Sequence, residues 1–208
     1  MNAATALASK GPKGVATREL ILARAFELAR EDGMEGLSIG TVATSAGMSK
    51  SGVFAHFGSR EQLQLALLDA VATRFLEFVK APAIREPRGL PRLYKIAERW
   101  SEWGRVNQSG CVLLSAAVEY DGRSHGPLRE RVLRQQSDWR DELRRAIQIA
   151  IDVGHLRRDT DSAQLAFELY ALMLCLHHDA GLFGYEQARV RSDAALERLF
   201  ASYREERP

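Results

Sequence analysis

Residues 38–58, SIGTVATSAGMSKSGVFAHFG, set two short apolar segments almost end to end. Ser38 opens the first as an N-cap, its hydroxyl placed to accept from the unpaired amides of a helix start. Ile39, Val42, Ala43 and Ala46 recur at helical spacing and form one inward face. Gly47 follows at once, and a residue without Cβ takes the positive φ of a sharp turn at little cost. Ser49 then caps a second segment carrying Val53, Phe54 and Phe57, and Gly58 stops it. Two short helices joined by a turn at Gly47-Met48 form a helix-turn-helix, which leaves few folds open to the chain.

The front of the second segment is unusual for a core helix. Ser49, Lys50, Ser51 and Gly52 are small or basic. In a DNA-reading unit the second helix lies in the major groove and its N-terminal residues meet the duplex. Short side chains let such a helix sink in, their hydroxyls and ammonium can bond phosphates or base edges, and Gly52 permits close backbone approach. Val53, Phe54 and Phe57 are then expected to hold the other side to the domain core.

The remainder reads as helix throughout. A segment from Thr17, capped by that residue and ending at Gly33, carries Ile21, Ala25 and Leu28 on one face. Ser59-Arg60-Glu61-Gln62 is a capping box opening a fourth helix with Leu63, Leu67, Leu68, Val71, Phe75 and Phe78. Pro82, Pro87 and Pro91 make 81–90 a connection. Helical periodicity resumes over about 91–107, 111–120, 127–153, 160–183 and 186–203. Neither strand alternation nor an internal repeat is present. The expected fold is all-α with about nine helices: a flexible tail (1–16), a three-helix DNA-binding domain (17–58), and a helical effector-binding and dimerisation domain (59–208). Lys10 and Lys13 leave open a second reading of the tail, as a basic arm that touches DNA.

The dense pattern ILARAFELAREDGMEGLSIGTVATSAGMSKSGVFAHFGSREQLQLALL, residues 21–68, resembles the N-terminal half of TetR-type transcriptional regulators. The resemblance implies DNA contacts at Ser38, Ser49, Lys50, Ser51, Gly52, His56 and Arg60, the last with arginine where a lysine is usual. Phe54 stands where the family commonly has a tyrosine that touches phosphate. Without the hydroxyl it is expected to pack inward, although it belongs to the same contact set. The resemblance further implies later helices that hold a small effector and pair two chains, and hence a ligand-responsive repressor of a palindromic operator.

Residues for such an effector site are aromatic: Tyr94, Trp100, Trp103, Tyr120, Trp139 and Phe183, with Cys111 beside them in sequence. Core filling is the plainer role for each alone, and a mostly apolar pocket is the role expected of the set. Cys111 follows NQSG at a helix start, where a thiol is activated, so it reads either as a redox sensor or as packing. His177 and His178 are adjacent and point about 100° apart on a helix, so they do not share a metal. Glu119 and Asp121 read as a solvated helix face.

Leu165, Leu169, Leu172 and Leu176, with Leu196, Leu199 and Phe200, offer more apolar surface than a terminal hairpin needs. Two helices from each of two chains would form a four-helix dimer seam. The chain has 208 residues, 27% of them charged, and a net charge of +2, so its total charge alone does not mark nucleic acid. No apolar run approaches the roughly 18 residues of a membrane span, and no signal-peptide core opens the sequence. A cytoplasmic protein without cofactor or metal is expected. HExxH, GxGxxG and phosphate-loop patterns are absent, which argues against an enzyme. An activator, or a regulator needing no ligand, stays open as an alternative; a helical ligand carrier or enzyme with a vestigial helix-turn-helix is the more distant one.

Overall fold

The computed structural model describes residues 12–107 and 110–204. Among these are nine helices and no strand: α1 (Pro12–Asp32), α2 (Ile39–Ala46), α3 (Lys50–Phe57), α4 (Arg60–Ala83), α5 (Leu90–Val106), α6 (Val112–Asp121), α7 (Pro127–Asp152), α8 (Ser162–Phe183) and α9 (Tyr185–Tyr203). One isolated bridge pairs Leu156 with Arg204. No helix among the described residues is long and apolar enough to cross a membrane.

Residues 12–16, expected in a tail, belong to α1. Pro12 opens the helix, a position where its missing N–H leaves nothing unpaired. Thr17 therefore lies inside the helix and does not cap it: its hydroxyl donates to the Lys13 carbonyl at 2.8 Å. The rest of the expected tail, Lys10 included, lies outside the described residues.

The α2–turn–α3 unit is fixed by local chemistry. Ser38 Oγ accepts the Thr41 N–H at 3.0 Å, and Thr41 Oγ1 accepts the Ser38 N–H at 3.0 Å. This reciprocal capping box uses threonine where a longer acid or amide is usual. At the other end Met48 N–H donates to Ala43 O at 2.9 Å and Gly47 N–H to Thr44 O at 3.2 Å. Those two bonds satisfy the last carbonyls of α2. Gly47 has φ 65°, and a Cβ there would meet no neighbour, so backbone conformation alone demands glycine. Ser49 Oγ accepts the Gly52 N–H at 3.1 Å to start α3, and Ser59 Oγ accepts the Gln62 N–H at 3.0 Å to start α4.

The chain divides into two compact units, with boundaries inside α4 after Val71 and inside α7 after Arg131. Among the described residues the first contains 12–71 together with 112–131, so α6 belongs with the helix-turn-helix. Its core includes Ile21, Ala25, Met34, Leu37, Val42, Val53, Leu63, Leu67, Ala116 and Tyr120. The second contains 72–107, 110–111 and 132–204. Its core is built on α5, α7, α8 and α9, with Leu93, Trp100, Trp139, Leu143, Leu165, Leu169, Leu196 and Phe200 buried. Each such large apolar side chain contributes about 1.5–3 kcal/mol on burial.

Candidate functional site

α3 has two sharply different faces. Val53 and Phe57, one turn apart, are buried. Arg18 from α1 pins this side, donating to the His56 carbonyl at 3.1 Å and lying 4.2 Å above the Phe57 ring. The opposite face is made by Lys50, Ser51, Phe54 and Ala55, all exposed. Two i,i+4 pairs, 50/54 and 51/55, thus lie side by side on the outside. Phe54 does not join the core: it is 55% exposed. The helix is eight residues long, and Val53 and Phe57 already use its inward arc. Phe54 is rotated about 100° from Val53 and so faces out.

Ser49 and Ser51 hydroxyls lie 3.1 Å apart at the helix start. Lys50 reaches across the start of α2; a Cβ on Gly40 would approach its Cε to 3.1 Å. Ser38 is half-buried and committed to its cap, and His56 is half-buried beside the Phe57 ring. These positions therefore gather around α2 and α3, with the polar atoms of Ser38, Ser49, Lys50 and Ser51 at the helix starts and His56 in the last turn of α3.

Arg60 differs from the sequence expectation of a side chain open to phosphate. Its guanidinium donates to the Glu35 carbonyl at 2.6 Å and to Glu35 Oε2 at 2.9 Å. Glu35 in turn accepts the Tyr120 hydroxyl at 3.0 Å and pairs with Arg123 at 2.8 Å. Burial alone would push the Glu35 carboxyl up. Hydrogen bonds from Tyr120 and Arg60, and the charge of Arg123, together outweigh burial and hold it below its ordinary 4.5. Burial, then the bond to Glu35, pushes the Tyr120 hydroxyl up.

Glu119 completes this junction. Its two carboxylate oxygens accept the Met34 N–H at 2.9 Å and the Glu35 N–H at 3.0 Å. Gly33 makes room: φ is 73° there, and a Cβ would collide with the Glu119 carboxylate. Glu119 is thus not a solvated residue on α6 but the cap of the α1–α2 turn. Its partners lie 85 and 84 residues away in the chain, and no local pattern announces the contact.

In the second unit an aromatic cluster forms around Phe75. Its ring centroid lies 5.9 Å from Trp100, 5.6 Å from Trp103 and 4.9 Å from Trp139, each edge to face. Tyr170 joins through Trp100 at 5.4 Å, carries Arg140 4.0 Å above its ring and donates to Gln136 Oε1 at 2.5 Å. In sequence Phe75 reads only as part of the α4 apolar stripe and Tyr170 carries no mark, because helical apolar spacing gives the same signal for a cluster as for any core. Trp103 Nε1 and Trp139 Nε1 are buried with no acceptor among the described residues.

Three of the other expected effector positions fall elsewhere, and the fourth, Cys111, lies within electrostatic reach of the Tyr170 hydroxyl. Tyr120 is 2% exposed in the first unit, held by Glu35. Phe183 is 66% exposed at the end of α8, where the helix stops before Gly184. Tyr94 bonds Glu197 at 2.9 Å and packs on Phe200 at 4.9 Å. Cys111 is buried, which favours packing over reaction with soluble oxidants. His177 is held below its ordinary value by burial and then by the neighbouring His178, and His178 lies 3.2 Å from Asp179.

The leucine stripes expected at a dimer seam face inward within one chain. Leu165, Leu169, Leu176, Leu196 and Phe200 are buried, and Leu172 and Leu199 are half-buried. α8 packs against α9 and against α5. Heptad spacing identifies an apolar face but not which surface covers it. The outward face of α8 carries a second apolar set: Phe167 at 64% exposure, Leu174 at 38% and Leu182 at 64%, with Val190 exposed on α9.

Comparisons with known proteins agree with this architecture. Residues 21–67 match the family described as bacterial regulatory proteins, tetR family, and residues 89–196 match the tetracyclin repressor-like C-terminal domain. The HTH-type transcriptional repressor AcnR of Corynebacterium efficiens is 36% identical over 76 residues, 36% of this chain and only 40% of that relative's length. A TetR-family regulator of Streptomyces coelicolor superimposes with a TM-score of 0.80 at 20% identity, over 95% of this chain and 98% of that one. AibR, solved in complex with isovaleryl coenzyme A and operator DNA, gives a TM-score of 0.70 at 22% identity, over 88% of this chain and 98% of that one. With its helix-turn-helix segment and more than half its length matched, the chain belongs to the TetR family of transcriptional regulators.

Proposed function

We propose that the protein is a homodimeric repressor that binds a palindromic operator and is released by a small molecule. The observation that carries the DNA reading is the outward face of α3. Lys50, Ser49 and Ser51 stand at its front, while Val53 and Phe57 anchor the other side in the core. A helix presented this way offers its N-terminal side chains to base edges and phosphates. Ser38, Ser49, Lys50, Ser51, Gly52, Phe54 and His56 form the contact set, and Arg60 joins it once it lets go of Glu35. The structural neighbour that holds operator DNA supports the same use of the fold.

The effector reading rests on the aromatic cluster. An indole N–H can only donate, and a buried donor without an acceptor costs about 1–3 kcal/mol. Trp103 and Trp139 each carry one. A flat apolar molecule with a carbonyl or carboxylate oxygen would satisfy both the rings and the donors. Binding there would favour dimers whose spacing no longer fits both half-sites. Pairing through the outward face of α8, with Phe167, Leu174 and Leu182, supplies the twofold axis.

The first test is selection of bound duplexes from a random DNA pool, followed by binding of the enriched sequence across salt concentrations. The expected result is a palindrome whose affinity falls steeply with salt, as counterions are released by phosphate contacts. A pool with no enriched sequence sinks the regulator reading.

A further inference from the structure

We propose that Phe54 makes the operator a thymine-dependent site: the apolar patch on α3 receives thymine 5-methyl groups in the major groove. The inference rests on the DNA-binding reading and adds what that helix reads. Phe54 is a large ring, 55% exposed, on a helix short enough to have sent it inward only at the expense of Val53 or Phe57. It lines a shallow depression with Ile39, Lys50, Ser51 and Ala55. Ile39, Phe54 and Ala55 give that depression an apolar floor, and Lys50 and Ser51 give it a polar edge. The ring has no hydroxyl and so cannot bond a phosphate. Base edges in the major groove offer hydrogen-bond donors and acceptors and a single apolar group, the thymine methyl. A polar-edged apolar patch on a groove-facing helix therefore has one complementary base. Lys50 beside it is placed for a guanine edge or a phosphate, so one α3 carries both kinds of contact.

Uracil substitution isolates the methyl group. The operator recovered by selection is resynthesised with each thymine replaced in turn by deoxyuridine, which removes the methyl and leaves every hydrogen-bonding group. Wild-type protein is expected to bind about fourfold more weakly at one or more positions in each half-site, the effect of losing one buried methyl. Phe54→Ala should abolish that discrimination, Phe54→Leu should keep part of it, and neither should change the salt dependence, because no phosphate contact is lost. Thermal melting of the variants should match wild type. Equal wild-type affinity for thymine and uracil operators at every position overturns the proposal. So does retention of the discrimination in Phe54→Ala. Failure to enrich any duplex removes the DNA reading itself and this inference with it, and is recognisable because no operator emerges to substitute.

Discussion

The two units solve the problem of holding helices together by opposite means. The first ties a thin turn with charge: Glu119 caps the amides of Met34 and Glu35, and Glu35 gathers Arg60, Arg123 and Tyr120. The second fills space with rings, stacking Phe75, Trp100, Trp103 and Trp139 edge to face. Aromatic filling is non-directional and large, so it supplies stability. Carboxylate caps are directional and modest, so they supply orientation. A reading head needs its α1–α2 turn in one place, and two hydrogen bonds from α6 do that with few atoms. The cap also makes the helix-turn-helix answerable to α6, whose residues it borrows.

The contrast is broken first in the aromatic unit. Trp139→Ala should destabilise the protein by about 3–5 kcal/mol in denaturant unfolding, because its ring is buried against Phe75 and Trp100. A loss under about 1 kcal/mol would mean the site collapses readily and the cluster is not a tight core.

The two faces of α8 separate folding from assembly. Leu165→Ala, on the inward side, should cost about 2–5 kcal/mol of stability. Phe167→Glu, on the outward side, should leave the single chain folded and shift sedimentation toward monomer. A Phe167→Glu protein that remains dimeric would show that the partner sits on another surface.

In the first unit, Glu119→Ala should cost about 1–3 kcal/mol, since it strands the amides of Met34 and Glu35. Its operator affinity should fall, with the salt dependence unchanged. Glu119→Gln, which keeps one acceptor oxygen, should recover part of both losses. Equal effects of the two substitutions would point to lost charge and not to the cap.

The junction should also be acid-labile. The Glu35 carboxyl is held below its ordinary 4.5, so its partners stabilise the folded form in full above that pH. That contribution is lost as the pH falls through the depressed folded value, and Glu35→Gln should remove the dependence. Because Glu35 is largely exposed, the effect is small and should shrink further in high salt. Smallest of all is the stability change in Phe54→Ala, expected within about 0.5 kcal/mol for an exposed side chain.

The helix-turn-helix was the most legible part of the chain, because its signals are local. Ser38, Ser49 and Ser59 cap helices as read, and Gly33 and Gly47 have the left-handed backbone that ends one. Later helices also fell where periodicity put them. What failed were statements about which neighbour covers a face. Phe54 was assigned inward because it is apolar, yet the inward arc of an eight-residue helix was already full. Heptad spacing points the Leu165–Leu176 stripe toward a partner chain, yet within this chain Leu165, Leu169 and Leu176 are already buried and Leu172 is half-buried. Glu119 was given to solvent, although its acceptors serve amides more than eighty residues away.

Sequence alone therefore determined the local elements around the helix-turn-helix: the caps at Ser38, Ser49 and Ser59, the stops at Gly33 and Gly47, and the polar front of α3, but neither the start of α1 at Pro12 nor the end of α4 beyond Pro82. Each depends on residues within about four positions, where backbone geometry leaves little choice. Tertiary structure decided the rest: that α6 caps the first unit, that Phe54 faces out, and that Trp103 and Trp139 bury donors with no acceptor among the described residues. Periodicity marks a face as apolar or polar, but burial is a property of the pair of surfaces that meet, and the second surface lies elsewhere in the chain.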